Sequence, residues 1–264
     1  MNGTLSPEQV RRYEQDGILF PVRVLTPGEA AKFRADFERL EARLARKLEY
    51  AAWLHLYFRW AYGLATHPAV LRAVEKILGP DILVHGTLVL CKHPHDPAYV
   101  SWHQDGTYTN QQATPSTSAW IALSDSTTEN GCMRVIAGSH LHGALPHTET
   151  FAAHNLLSRG QEVSFALDER RVRDVTLSAG EMSLHQQHII HSSEPNRSDT
   201  KRIGFIVRFA TPQLAHSVDP VIRVGGRDEC AHLPLLAEPP EGDGDEGAAA
   251  WHEYQQRRRQ QAVK

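Results

Sequence analysis

Cysteine is scarce in this sequence. Cys91, Cys132 and Cys230 are the only three in 264 residues, an odd number at wide spacing, which counts against a disulfide framework and against a cysteine-built zinc site. Long apolar runs are missing too: nothing approaches the ~20 residues that cross a bilayer. There is no excess of positive charge. With 28 Lys+Arg against 31 Asp+Glu the formal net charge is -3, so no broad basic surface exists to hold nucleic acid through its phosphates. No segment repeats at a fixed period. The opening MNGTLSPEQVRRYEQDG is polar and has no apolar leader core. These absences give the expectation of a cytoplasmic protein with neither a membrane nor a nucleic acid as partner. What remains is ordinary for a globular chain, 41% hydrophobic and 22% charged, with the length for one good-sized core. The expected organisation is a single domain over 1–264, and the oligomeric state stays open between monomer and homodimer.

Two textures divide the chain. Residues 1–80 read as mainly helical. Ser6-Pro7-Glu8-Gln9 and Thr26-Pro27-Gly28-Glu29 fit capping boxes with proline at the first helical position. Ala30, Phe33, Phe37, Leu40 and Leu44 then recur at helical spacing. A further helix is predicted through HPAVLRAVEKILG, with Val70, Val74, Ile77 and Leu78 on one face and Gly79 as its stop. From Pro80 the segments are short, rich in β-branched and aromatic residues, and separated by Gly, Pro, Asn and Ser. Glu129-Asn130-Gly131 reads as a hairpin turn. Residues 81–212 are therefore expected to form a mainly β sandwich or jelly roll rather than a parallel sheet with crossover helices. Residues 213–264 read as a C-terminal extension. It has a flexible acidic segment, AEPPEGDGDEGAAA, and a short basic helix, WHEYQQRRRQQAVK, for which a solvated tail is the favoured reading.

Sixteen histidines make any one of them weak evidence. In VSWHQDGTY, however, His103 and Asp105 would project to one side of an extended strand while Gln104 points away. Two histidines and a carboxylate on one side of an iron(II) ion leave three positions open. His-x-Asp alone is more often an exposed turn, because Asp-Gly favours turns. A third ligand is available among His185, His188 and His191. His191 is preferred because it ends an apolar run, although all three also suit core or surface roles. Eleven residues on, Arg202 opens the strand RIGFIVRFAT. Arg202, Gly204, Ile206 and Arg208 share one face, and Ile203, Phe205, Val207 and Phe209 share the other. A cation beside a glycine, backed by four large apolar residues, suits a polar pocket inside a barrel, and equally a solvent-facing strand.

Taken together, LSPEQVRRYEQDG, HPAVLRAVEKILGPDILVHG, VSWHQDGTY, AWIALSDSTTENGCMRVIAGSH and GEMSLHQQHIIHSSEPNRSDTKRIGFIVRF resemble, in order, the segments of the phytanoyl-CoA dioxygenase family of iron(II)/2-oxoglutarate oxygenases. The resemblance is nearest to a bacterial subgroup with natural-product hydroxylases and halogenases. Ala137 in IAGSH departs from the usual proline, a change confined to a turn. The resemblance implies a double-stranded β-helix (a cupin-like jelly roll) with flanking helices, and Fe(II), 2-oxoglutarate and O2 as cofactor and cosubstrates. It implies His103, Asp105 and His191 as iron ligands. Arg202 would pair with the distal carboxylate of 2-oxoglutarate, with Thr200, Trp120 and Leu88 beside it. The upstream lysine that some members use has no secure counterpart in this sequence, Lys47 and Lys92 being the candidates.

The implied reaction is hydroxylation of an unactivated C–H bond in a small-molecule metabolite, with release of succinate and CO2. Asp105 disfavours halogenation, because in halogenating relatives a small residue leaves that position to chloride; desaturation stays open. Gln104, Tyr108, Asn110 and Arg159 are the candidate substrate contacts, set against loop hydrogen bonding for the first three and a surface salt bridge for Arg159. His140, His142, His185 and His188 read as loop or pocket-lining residues. Trp53, His55, Tyr57 and Trp60 read as helix packing or a substrate lid. A zinc hydrolase with the same ligands would leave Arg202 and Trp120 unexplained. A binding jelly roll with a relic site is disfavoured by the full ligand set.

Overall fold

Ser6 and Thr26 each accept a hydrogen bond from the backbone three residues on, and Gln9 and Glu29 answer reciprocally. Both capping boxes therefore start helices: α1 (Pro7–Asp16) and, after strand β1 (Ile18–Arg23), α2 (Pro27–Arg43). Strand β2 (Tyr50–Ala52) and helices α3 (Arg59–Ala65) and α4 (Pro68–Leu78) follow, and α4 stops at Gly79 as predicted. Then come β3 (Leu83–Lys92), β4 (Val100–His103), β5 (Ser116–Ala122), β6 (Met133–Ile136), β7 (His147–Glu149) and β8 (Gln161–Val163). They are followed by β9 (Val172–Val175), β10 (Glu181–Gln186), β11 (His191–Ser193), β12 (Arg202–Ala210), β13 (Ile222–Arg223) and a last helix, α5 (Asp245–Ala262). This computed structural model describes residues 3–108, 114–157, 159–164, 166, 168–227 and 230–262.

The named strands all pair antiparallel. A seven-stranded sheet runs β1-β10-β5-β12-β3-β13, with β2 also on β3; a four-stranded sheet runs β4-β11-β6-β9; β7 and β8 form a ribbon. Strand β12 shows why helices cover one face of the large sheet. Ile203, Phe205, Val207 and Phe209 are fully buried and share a cluster with Phe37, Leu40, Leu64 and Val70 from the helices. Each such side chain contributes roughly 1.5–3 kcal/mol of burial. On the opposite face Ile206 joins Leu88 and Trp120 in a second cluster, which Met133 and Val135 of the smaller sheet complete. The two sheets thus face each other across a partly filled interior. Among the described residues, no helix is long and apolar enough to cross a membrane.

Three local readings change. The helical first third also contains β1, which pairs with β10 at the edge of the large sheet; an edge position is where a strand tolerates Pro21. The turn at Asn130-Gly131 forms, with Gly131 at φ 75°. It makes no hairpin, because β5 before it belongs to the large sheet and β6 after it to the small one. The C-terminal segment is not a solvated tail. Trp251 is buried and donates from its indole to the Ala52 carbonyl at 2.8 Å, while Tyr254 donates to Asp219 at 2.6 Å. The acidic stretch before it is tied to the helices through Arg43–Asp245 at 2.6 Å and the Trp60 N–H donating to Asp243 at 3.0 Å.

Candidate active site

His103 is the last residue of β4, and Asp105 opens a 3-10 turn (Asp105–Tyr108) immediately after it. The change from strand to turn still brings both side chains to one side: His103 Nε2 lies 3.7 Å from Asp105 Oδ1. Strand β11 pairs His191 directly opposite His103, and the two imidazoles sit with centroids 4.1 Å apart. Potential ligand atoms of His103, Asp105 and His191 all fall within 4.8 Å of one another. Each histidine uses Nδ1 on a backbone carbonyl, Ser101 at 2.9 Å and Ile189 at 3.1 Å. A carbonyl can only accept, so Nδ1 carries the proton and Nε2 presents a lone pair, the arrangement a metal-binding histidine uses.

The electrostatics agree with that role. Burial, and then His103, hold the His191 imidazole well below its usual range, so it is neutral. Burial alone would raise the Asp105 carboxyl, but the Arg208 guanidinium, 3.5 Å away, outweighs it, and the group is held well below the usual carboxylate range. The donor set is two imidazoles, each with Nε2 turned away from its backbone anchor, and one carboxylate, which suits iron(II) or another borderline divalent ion.

The triad lines a cavity of about 330 Å³ between the two sheets, a size usual for small-molecule sites. Arg202 enters it from the start of β12. The residue is 1% exposed. Its Nη1 donates to the Gly131 carbonyl at 2.8 Å, and its guanidinium lies over the Trp120 ring, 5.4 Å from the centroid. Among the described residues, Nε and Nη2 have no hydrogen-bond acceptor. Burial lowers this guanidinium only to about 10, so it stays charged. A buried arginine with two unmatched donors facing a cavity fits a carboxylate taken up from solution.

The remaining sequence candidates divide. Leu88 and Trp120 line the cavity. Thr200 does not: it is exposed on the loop before β12, its hydroxyl 3.2 Å from that of Ser198. Gln104 is buried and fully engaged, donating to the carbonyls of Gly143 (2.9 Å) and His188 (2.6 Å) and accepting from Leu145 N–H (2.8 Å). It clamps two loops together and is not among the described residues that line the cavity. Arg159 pairs with Glu149 at 2.6 Å on the exposed β7–β8 ribbon side, the salt bridge weighed against a substrate role. Tyr108 closes the 3-10 turn, and Asn110 lies outside the described residues. Lys92 is buried, with Nζ donating to Ser193 Oγ (2.8 Å), Ser193 O (3.1 Å) and the Glu194 carbonyl. It fastens β3 to the end of β11.

His185, weighed as a third ligand and read as a loop or pocket-lining residue, does line the cavity, whereas two residues of the site, His85 and Gly131, were not singled out for it by their sequence context. His185 sits with Nε2 3.8 Å from Asp105 Oδ2. His85 lines the cavity, and burial holds its imidazole down to about 4. Gly131 holds Arg202 through its backbone carbonyl, a contact that side-chain chemistry cannot announce. A second convergence, Glu41, Cys91 and His93, lies on the helix side of β3. Lys201 neutralises Glu41 there at 2.7 Å.

Residues 13–204 match the family model described as phytanoyl-CoA dioxygenase. An L-proline trans-4-hydroxylase of Streptomyces griseoviridis is 29% identical over 264 aligned residues, covering 89% of this chain and 90% of that enzyme. A probable alpha-ketoglutarate-dependent hypophosphite dioxygenase of Stutzerimonas stutzeri is 28% identical over 67% of this chain, which spans 64% of that protein's length. Among solved structures, the non-heme monooxygenase ThoJ in its apo form superposes with a TM-score of 0.78 at 34% identity, covering 96% of each chain.

Proposed function

The chain belongs to the phytanoyl-CoA dioxygenase family, an enzyme of the iron(II)- and 2-oxoglutarate-dependent type, and from that premise we propose that it hydroxylates a C–H bond of a small-molecule metabolite. The two facing antiparallel sheets are, in this reading, a double-stranded β-helix. The observation that carries the reading is Arg202: a buried, charged guanidinium with two donors unmatched, in the same cavity as a His-Asp-His triad. Neither feature accounts for the other unless a molecule with a distal carboxylate bridges them.

His103, Asp105 and His191 would hold the iron, and Arg202 the distal carboxylate of 2-oxoglutarate, with Trp120 and Leu88 walling that end. Bound together with oxygen, these groups supply the oxidising power. The chain's own work is placement. The backbone carbonyls of Ser101 and Ile189 fix the two imidazoles, and Arg208 keeps Asp105 ionised. Leu88, Trp120 and Ile206 keep water from the interior. Asp105 occupies the position a halide would need, which favours hydroxylation over halogenation.

The test is succinate formation by the full chain loaded with iron(II) and supplied with 2-oxoglutarate and oxygen, across a panel of metabolites. At least one metabolite should stimulate release, and Arg202→Met should abolish it. A wild-type chain that neither binds 2-oxoglutarate nor releases succinate refutes the reading.

A further inference from the structure

The family match ends at residue 204, yet the cavity wall includes a residue far beyond it, Arg258 of α5. Gly247, Trp251, Tyr254, Gln255 and Arg258 recur at the spacing that puts them on one helix face, and that face is docked. A Cβ at Gly247 would lie 2.6 Å from the Tyr57 carbonyl, so the helix can approach this closely only with glycine there. Trp251 and Gln255 both donate to the Ala52 carbonyl, at 2.8 and 2.9 Å. Tyr254 donates to Asp219. These contacts deliver Arg258 to the cavity, its guanidinium 5.8 Å from the centroid of Trp53, which lines the same wall.

The charges of the lining are unequal. Among the described residues, Asp105 is its one carboxylate, set against Arg202, Arg208 and Arg258. Asp105 faces Arg208, and Arg202 is committed to the cosubstrate in the reading above. The counter-ion of Arg258, Asp219, is 3.5 Å away, is not part of the lining, and already accepts from Tyr254. His85 carries no charge near neutral pH and does not alter this count. A guanidinium held over an indole at a cavity wall presents a flat cationic fork beside an apolar surface, which matches a carboxylate on an apolar stem.

We propose that Arg258 is a substrate-binding residue and that the substrate carries a carboxylate, which Arg258 engages beside the face of Trp53. The proposal rests on this cavity being the oxidation site. It places substrate selection on a helix outside the family-matching segment, so that relatives can share the iron and 2-oxoglutarate chemistry while differing in what they oxidise.

The test uses the full chain loaded with zinc(II), a redox-inert stand-in for iron, and saturated with 2-oxoglutarate so that Arg202 is occupied. Calorimetric titration compares hexanoate with hexanamide, probes of equal size that differ in charge. Wild type should bind hexanoate at least about tenfold more tightly, the scale of one charge-assisted contact. In Arg258→Met the two should bind within about twofold of each other, and Arg258→Lys should recover part of the preference. Arg257→Met alters the neighbouring residue, which pairs outward with Glu253; it should keep the wild-type preference and so controls for loosening of the helix. No acid preference in wild type, or a preference that Arg258→Met retains, overturns the proposal. Binding of 2-oxoglutarate is measured first in the same cell. Its absence would count against the proposed function instead, and the two probes would then be compared without it.

Discussion

The Arg202 guanidinium lies over the Trp120 indole, 5.4 Å from the ring centroid, and Gly204 is what lets the ring lie there. Gly204 and Arg202 occupy the same face of β12. A Cβ built on Gly204 would stand 2.1 Å from Trp120 Cζ2. The glycine, the tryptophan and the arginine are thus one steric unit: the missing side chain makes the space, the indole fills it, and the cation rests on the indole.

Gly204→Ala therefore forces the indole to move. Overpacking of this kind costs about 1–3 kcal/mol, and because the displaced ring supports Arg202, the KM for 2-oxoglutarate should rise by about tenfold. Thermal melting and steady-state kinetics read the two effects. A variant with unchanged Tm and unchanged KM would show that the ring has room the structure does not reveal.

Gln104 occupies the centre of the metal motif, but its chemistry is that of a clamp. All three of its amide hydrogen bonds go to backbone groups of two different loops. Truncation in Gln104→Ala leaves those groups without partners, at ~1–3 kcal/mol for each that stays buried. Equilibrium urea unfolding should show a loss of roughly 3 kcal/mol or more, with affinity for 2-oxoglutarate changed far less. A Gln104→Ala chain of native stability that fails only in substrate turnover would reinstate it as a substrate contact.

The sequence carried the site better than the surroundings of the site. The faces of β12 were legible because its apolar residues alternate strictly, and alternation reports a sheet with one wet and one dry side. The His-x-Asp pair was legible by chemistry and survived its misassigned backbone, since strand and 3-10 turn both turn the two side chains to one side here. The pairing after Asn130-Gly131 was not legible, because a turn fixes local direction while the sheet each strand joins is decided by distant partners. The docking of α5 was hidden by its polarity. Trp251 and Tyr254 mark its buried face, but glutamines and arginines surround them, and one of those arginines belongs to the cavity.

Stability should fall on acidification through His55. This residue is fully buried, its Nδ1 2.9 Å from Thr87 Oγ1, and burial, then His85, lower its imidazole from 6.5 to about 3. Above pH 6.5 it is neutral folded or unfolded and contributes no slope. Between 6.5 and 3 the unfolded chain accepts a proton that the folded chain refuses, so stability is lost as pH falls, at up to about 1.4 kcal/mol per pH unit. By pH 5 the loss from this group is about 2 kcal/mol. Urea unfolding of metal-free protein at a series of pH values should show this slope, flattened in His55→Gln. Equal slopes in the two proteins would remove His55 from the account.

In the proposed function Asp105 decides between hydroxylation and halogenation, and its neighbours make that testable without knowing the substrate. Its carboxylate faces Arg208 at 3.5 Å and His185 at 3.8 Å. In Asp105→Ala those groups remain, around a gap that an anion could fill. Loss of a ligand should weaken iron binding by at least about 100-fold, more than the loss of an outer partner costs, and substrate-stimulated succinate release should disappear. Chloride should then restore part of the iron affinity in the variant, because Arg208 attracts an anion into the gap, and should leave wild type unaffected. Iron titrations at zero and high chloride, with nitrate at matched ionic strength, check this. Chloride that aids wild type and variant alike, or neither, would mean that Asp105 does not fill the position a halide needs.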